Sequence, residues 1–536
     1  MGSVRQEIRY EKLQDTDTEE PEGQVTVRVF RNRSLAASRG RDRETYLRVL
    51  SSMLLLLVAV GFVLYELQVS RAEPPRGHNE LLENKNELLE SDDEEEEDES
   101  HHHSHHHDES DNHSDSTGHH HPTNTYHQGI AVTDSDVCSR IGKEMLQDGG
   151  TVVDAGIAAV LCLAVIHPHT TSLGAVFSCV VYNGSSNGAR MLNALPRDPS
   201  PSPFGVPVML QGLHLLHQNY GHKPWEELLS PAIRLANKGF CVDDTLGRAL
   251  QNNQQFISSS VGLCNLFCHK NDSTGGLKEV GETVINPSLG KFLEQVSTHY
   301  TDSFVTGLLA QSLPDDTDST IRDKFTAAIS HHRPDIEAPV TLHVEELTLY
   351  TSGGQTAGRI LSNFVQTLNE NSSSDSLLLP LMSRRAAPVG TNVIIARSSG
   401  DLLVMSLSLN SSFGSGFVSP STGILLSDFI QHPGLSQESQ PEFWACPSVL
   451  SLEGDVMGLA ATGGSSVPSS LAHIILNHLF LKMNLTESVR ESLTHEHFPV
   501  KPTRDTNPLA ALAVIVEAEH VHVAKSSALC CFHEGL

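Results

Sequence analysis

The chain has 536 residues, 38% hydrophobic and 19% charged, enough apolar material for one large packed domain or two ordinary ones but not for the whole length. Its formal net charge of −29 sits partly in one run, Asp92–Glu99, where every residue is acidic, and no basic face stands ready to neutralise phosphates, which argues against nucleic acid. Nine cysteines are too few in this length for a disulfide-built mini-fold, though a few bridges fit an oxidising compartment.

Residues 1–48 are polar, with Arg31, Arg33, Arg39, Arg41 and Arg43 clustered and no apolar periodicity; they are read as a disordered cytoplasmic tail. From Val49 to Tyr65 no charge occurs, and the core MLLLLVAVGFVLY reaches the short end of what a bilayer needs. It lies too far in for a simple signal peptide, and no small-residue cleavage site follows. Residues 49–67 are therefore predicted as a signal-anchor helix crossing a lipid bilayer once. Arginines precede it, while Glu66, Glu73 and the acidic run follow, so the remainder is predicted to lie outside the cell or in a lumen. Residues 68–127 are acidic and then histidine-rich, with HHHSHHH at 101–107 and HHH at 119–121, and cannot bury apolar surface on their own. Histidine tracts hold zinc, copper or nickel and gain charge as pH falls. None here has the spacing of a structural site, so the segment is read as a solvated stalk and no metal is assigned.

The folded part is predicted from residue 128. GIAVTDSDVCSRIGKEMLQDGG gives a short strand, a cap at Asp134 or Ser135, and a helix with Val137, Ile141 and Met145 on one face. Gly149 stops it. Val152–Ile166 is nearly all apolar and too short to span, a wholly buried helix. FSCVVYN at 177–183 is a strand. Over 205–242 a helix is followed by a start at Pro224, a cap and first turn at Ser230-Pro231, and a stop at Gly239. The stretch 390–428, GTNVIIARSSGDLLVMSLSLNSSFGSGFVSPSTGILLSD, reads as a strand from Thr391 and a Ser-Ser-Gly-Asp turn. A second strand through Leu403, Met405, Leu407 and Leu409 follows, then a glycine-interrupted loop. A threonine is an ordinary strand opener. Were the Gly390–Thr391 bond cut, Thr391 would instead be an N-terminal nucleophile with its own amine as base. Spacing alone does not separate the two.

Four blocks carry a resemblance: AVTDSDVCSRIGKEMLQDGGTVVDAGIAAVLC, GVPVMLQGLHLLHQNYGHKPWEELLSPAIRLANKGF, LCNLFC at 263–268, and FGSGFVSPSTGIL. Together, over roughly 128–480, they resemble the gamma-glutamyltransferase (glutathione hydrolase) family, and the shortness of the chain points to a short paralogue within it. The resemblance implies an α/β (α+β) chain with the four-layer αββα N-terminal-nucleophile hydrolase fold and no cofactor. It implies self-cleavage before Thr391 into a large membrane-bound part (128–390) and a small part (391–536). It also implies disulfides Cys138–Cys162 and Cys264–Cys268, leaving Cys179, Cys241, Cys446, Cys530 and Cys531 unassigned. Sequons at Asn112, Asn183, Asn271, Asn371, Asn410 and Asn484 suit the same compartment.

The implied chemistry is attack of Thr391 Oγ1 on a gamma-glutamyl carbonyl, as in glutathione, followed by release to water or to an amino-acid or dipeptide acceptor. Gly463-Gly464 matches the family's backbone oxyanion donors. Ser408 stands where a threonine assists the nucleophile, Asn410 matches a substrate-binding asparagine, and Asp428 is the acid for the glutamate amino group. Other positions depart from the family. Its carboxylate-clamping arginine is replaced in Asn193-Ala194-Leu195-Pro196, with Arg197 the nearest substitute; its serine pair falls on Pro441-Glu442-Phe443-Trp444. The insert after Gly-Ile-Leu is contracted to LLSD, Val393 stands where histidine is common, the glycine-rich loop shrinks to Leu173-Gly174-Ala175, and the span between Tyr350 and Thr391 is short. Losing a bidentate guanidinium weakens carboxylate binding. Two functions therefore stay open, an ectoenzyme for gamma-glutamyl compounds and a pseudoenzyme that binds or scaffolds a partner; a metal- or pH-responsive stalk is a third.

Overall fold

Strands buried on both faces need a layer on each side, and the strand Val389–Arg397 (β10) has that pattern, buried without a break from Thr391 to Ala396. The computed structural model describes residues 125–196, 203–269, 276–299, 302–371, 389–430, 441, 443–492, 510–526 and 531–536. The predicted tail, the predicted anchor, nearly all of the stalk, and Arg197, Asn112, Asn271, Glu442 and Cys530 lie outside the described residues. Among the described residues no helix is long and apolar enough to cross a membrane.

Two seven-stranded sheets form. The first runs β16 (Phe532–Gly535), β2 (Gly129–Thr133), β10, β11 (Leu402–Asn410), β3 (Val176–Asn183), β4 (Gly188–Ala194), β7 (Ile336–Glu337). The second runs β1 (Thr125–Tyr126), β15 (His520–Lys525), β14 (Ala510–Glu517), β13 (Asp455–Thr462), β12 (Ser448–Leu452), β9 (Leu347–Thr351), β8 (Val340–Val344). A two-stranded ribbon, β5 (Phe240–Cys241) with β6 (Thr283–Val284), stands apart. The first described strand, β1, lies inside the predicted stalk and pairs with β15. Strand β10 starts at Val389, ahead of the predicted Thr391, because Val389 pairs with Asn410. The predicted turn at 398–401 is present, with Gly400 at φ +86°.

Between the sheets lie Ile130, Val132, Val180, Ile394, Val404, Ala460 and Val514. On the outer face of the first sheet Val393, Ile395, Leu403 and Met405 meet helices. Leu459, Ala461 and Ala513 of the second sheet pack in a separate core with Ala357 and helical residues from 361 to 368 and 467 to 475. The four-layer αββα order follows from these three cores.

Helix α1 (Asp136–Gln147) is capped at Ser135, whose side chain makes no capping bond, and stops at Gly149 with φ +83°. Every residue of α2 (Val152–Ile166) is buried, as its apolar run requires. Its start is a closed capping box between Thr151 and Asp154. The buried Asp154 carboxylate accepts from Thr151 N at 2.8 Å and from His222 N at 3.0 Å, so a charge without solvent is met by amides and by the helix N-terminus. Cys138–Cys162 joins α1 to α2, Cα to Cα 5.5 Å, and Cys264–Cys268 closes one turn at 4.7 Å, both as the resemblance implied. Cys531 is also disulfide-bonded, while Cys179 and Cys446 are buried thiols and Cys241 an exposed one. Burial pushes the Cys179 thiol up to about 12, leaving it unreactive.

Helix α3 (Met209–Tyr220) precedes α4 (Trp225–Lys238), and here one expectation is corrected: Ser230-Pro231 is not a cap, for α4 runs through Pro231. Proline there deletes a helical hydrogen bond, but Trp225, Leu228 and Leu229 before it and Ala232 and Ala236 after it form one buried stripe, whose burial outweighs the loss. Gly239, φ +95°, ends α4 as expected. Helix α5 (Gly358–Asn371) occupies the short span before β10, and α6 (Val467–Ile475) follows β13. Because the Asp154 carboxylate serves several buried amides, Asp154→Ala is expected to cost about 3 kcal/mol, read as a lowered midpoint in denaturant unfolding, with Asp154→Asn losing less.

Candidate active site

The ladder between β10 and β11 slips once. Val389 faces Asn410, yet Thr391 faces Leu407, so Ser408 and Leu409 together oppose Gly390, a bulge. A one-residue slip exchanges the faces of every later side chain. Thr391 thus shares the face of Val393 and Ile395, towards α1 and α2, whereas Ser408 follows Val404 on the face towards the second sheet. Across that inner face Ser406 Oγ donates to Asn392 Oδ1 at 2.8 Å. The Ser408 hydroxyl donates to the Val389 carbonyl and accepts the Asn410 N–H at 2.8 Å. It holds the backbone just before the Gly390–Thr391 bond, with no bond to the Thr391 hydroxyl.

Only glycine fits position 390. A β-carbon there would lie 2.8 Å from the Leu407 carbonyl oxygen and 3.2 Å from Thr462 Cγ2. The same contact brings the end of β13 to the Gly390–Thr391 bond, and the next residues are Gly463, φ +141°, and Gly464, φ +66°, conformations that glycine adopts without strain. Among the described residues neither amide donates to a backbone carbonyl, and both precede α6.

Asn410 and Asp428 come together where β11 ends. Asn410 has φ +76°, and its Nδ2 donates to the Asp428 carbonyl at 3.5 Å. The Asp428 carboxylate accepts from Ser411 N at 2.9 Å and Ser411 Oγ at 2.6 Å, which fixes both oxygens beside Asn410. Gly414, φ +49°, lets the loop fold back, since a β-carbon there would stand 2.6 Å from the Leu426 carbonyl oxygen. The departures are filled as core. Leu195, in the arginine's place, is buried. Asn193 is tied up by Ser178 Oγ at 2.6 Å and by the Gly353 carbonyl at 2.9 Å. Phe443 is buried with its ring against Phe429, and Trp444 packs on the core under α5 and α6.

The sequence reading missed a polar cluster behind Thr391. Val132 pairs with Ile394, so Asp134, the second residue on from Thr133's neighbour in that ladder, arrives opposite Asn392. Burial raises the proton affinity of its carboxyl, and the Thr391 hydroxyl, His167 and the Asn392 N–H partly offset that. The residue keeps some exposure while its carboxyl is desolvated. Thr391 Oγ1 is buried without a hydrogen-bond partner, so its relation to Asp134 is a close approach rather than a formed bond. Farther in, His167 Nε2 meets Asp243 Oδ2 at 2.6 Å. Desolvation opposes ionisation of Asp243, but the hydrogen bond and charge of His167 and the Leu246 amide outweigh it and hold the carboxyl at about 2. Burial, reinforced by the His167 charge, pulls His169 down to about 3, so its ring is neutral. Nδ1 of His167 and Nδ1 of His169 are buried without partners. The available signal was two histidines just past the end of a nearly all-apolar helix.

The family model described as Gamma-glutamyltranspeptidase matches residues 138–385 and 381–526. Glutathione hydrolase 6 of Mus musculus is 34% identical over 417 residues, 76% of this chain and 78% of that protein. Glutathione hydrolase 6 of Homo sapiens is 32% identical over 416 residues, 76% of this chain and 79% of that protein. Among solved structures, the cephalosporin acylase from Bacillus halodurans superposes with a TM-score of 0.61 at 16% identity, covering 79% of this chain and 99% of that one, a likeness of fold alone. On the match of the family model and of these relatives, the chain belongs to the gamma-glutamyltranspeptidase (glutathione hydrolase) family and is similar to its glutathione hydrolase 6 members.

Proposed function

We propose that this chain is a single-pass type II membrane protein whose outer domain cleaves itself before Thr391. The domain then hydrolyses or transfers the gamma-glutamyl groups of glutathione and related peptides. The observation that carries this reading is the junction of Gly390–Thr391, the β-bulge, the Ser408 grip on the Val389 carbonyl and the Gly463-Gly464 turn in one place. Cleavage would free the Thr391 amine to act as base for its own hydroxyl. Thr391 Oγ1 would form an ester with the gamma-glutamyl carbonyl, the amides of Gly463 and Gly464 would hold the oxyanion, and water or an amino-acid or dipeptide acceptor would release it. Asn410 and Asp428 would hold the glutamate amino group, and Arg197 its carboxylate.

A second reading has its own support. Leu195 and Phe443 are built into the core, which favours a pseudoenzyme that keeps the fold and binds or scaffolds a partner.

On denaturing gels the wild-type protein is expected as two chains and Thr391→Ala as one; a wild type that stays whole removes the nucleophile reading. Ser408→Ala is expected to slow appearance of the two chains by up to about tenfold, the worth of one hydrogen bond, with Ser408→Thr cleaving like wild type. Release of a chromophore from a gamma-glutamyl anilide then separates the two readings. The enzyme turns it over well above the Thr391→Ala background, and the pseudoenzyme does not.

A further inference from the structure

An N-terminal nucleophile is its own base only after the bond before it has been cut. While Gly390–Thr391 is intact the Thr391 nitrogen is an amide and cannot take the hydroxyl proton, so the first cut needs a different base. Thr391 Oγ1 is buried and unpartnered, and the slipped register turns it away from Ser408 towards α1 and α2. Past the end of β2 the Asp134 carboxyl comes beside β10, with the Thr391 hydroxyl and the Asn392 N–H as its neighbours. The ordinary use of an aspartate at this place is to cap α1, but the cap position is Ser135 and no side chain caps the helix. We propose that Asp134 is the general base of self-cleavage, a role that rests on the reading that the chain cleaves itself before Thr391.

The step balances as follows. The Thr391 hydroxyl proton passes to Asp134 while Oγ1 bonds to the Gly390 carbonyl carbon. The tetrahedral oxyanion then expels the Thr391 nitrogen, which takes the proton back from Asp134 and becomes the free amine, leaving Gly390 as an ester on Oγ1. Water hydrolyses that ester: its oxygen completes the Gly390 carboxyl, one hydrogen restores the Thr391 hydroxyl, and the acid proton goes to the new amine. Asp134 ends unchanged, and the amine is then in place for later turnovers. Desolvation gives Asp134 a higher proton affinity than an exposed carboxylate, which suits a base. The titratable groups around it are the His167–Asp243 pair, with His169 held neutral by burial. The Cys531 sulfur, 3.8 Å from Asp134 Oδ1, is in a disulfide and has no proton to give.

The full-length chain with a C-terminal tag, followed by pulse-chase in cells and as immunopurified precursor across pH, tests this. Wild type is expected to pass from one chain to two, more slowly as pH falls and Asp134 is protonated. Asp134→Asn is expected to cleave on the order of a hundredfold more slowly without that acid limb, while keeping the protease-resistant core of Thr391→Ala. Asp134→Glu keeps a carboxylate and is expected to cleave with the acid limb displaced; it decides the matter should Asp134→Asn lose its resistant core. Equal cleavage by wild type and Asp134→Asn, or an acid limb in Asp134→Glu identical to wild type, overturns the role of Asp134 and leaves self-cleavage standing. A wild-type chain that never divides overturns both.

Discussion

One slipped register organises the site. Had β10 and β11 kept the pairing of Val389 with Asn410 along their length, Thr391 would have faced Ser408. The bulge opposite Gly390 sends the two hydroxyls to opposite faces of the sheet, Ser408 to the backbone ahead of the bond and Thr391 into the helical side. The bond between residues 390 and 391 therefore has distinct chemical surroundings on its two sides. Towards the second sheet are Thr462 and the two glycines that follow it; beside the strand, past the end of β2, is Asp134, and at the end of α2 the paired His167 and Asp243. Bulges beside active sites commonly re-aim side chains, and here two residues are re-aimed at once.

The helical layer keeps that arrangement fixed. A fully buried α2, bridged to α1 through Cys138 and Cys162, forms a close-packed floor under β10, and interiors of this density shift little without cost. The positions where the sequence departs from the family pattern are built differently. Leu195 and Phe443 contribute apolar packing, and Asn193 is satisfied internally. On the proposed reading, the residues that would make an acyl-enzyme and those that would grip a glutamate are on separate elements, and the second set shows the greater departures from the family pattern.

Periodicity made much of the fold legible. The apolar run of Val152–Ile166, the alternation from Leu403 to Leu409, and the glycine stops at 149 and 239 are local signals, and each element formed where it was read. Pro231 misled because its local penalty was weighed without the stripe that carries α4 past it. The two disulfide pairings came from family resemblance and not from spacing. At the candidate site, Thr391, Asn410 and Asp428 were singled out through motifs, whereas Asp134 was read only as one of two possible caps with Ser135, since its place beside Asn392 depends on a strand pairing more than 250 residues away in the chain. His167 and His169 were passed over for the same reason. A polar side chain at the end of a buried helix acquires its partner, here Asp243, only in three dimensions.

The order of strands in the two sheets has a mechanical consequence. In the first sheet β2 lies between β16, which comes after Thr391, and β10, which carries it, and β11 adjoins β3, which comes before it. In the second sheet β1 and β9, from before Thr391, flank β15 to β12, from after it. The last residue, Leu536, is itself tied to His127, Gln128 and Gly129 by backbone hydrogen bonds of 2.9–3.0 Å. A break in the chain ahead of Thr391 would therefore free no separable piece. The two segments are interwoven through both sheets, and parting them would require unzipping several ladders and both apolar interiors together. Such a break is a local change of covalent state inside one cooperative body, so a fragment that carries Thr391 stays attached to whatever holds the other.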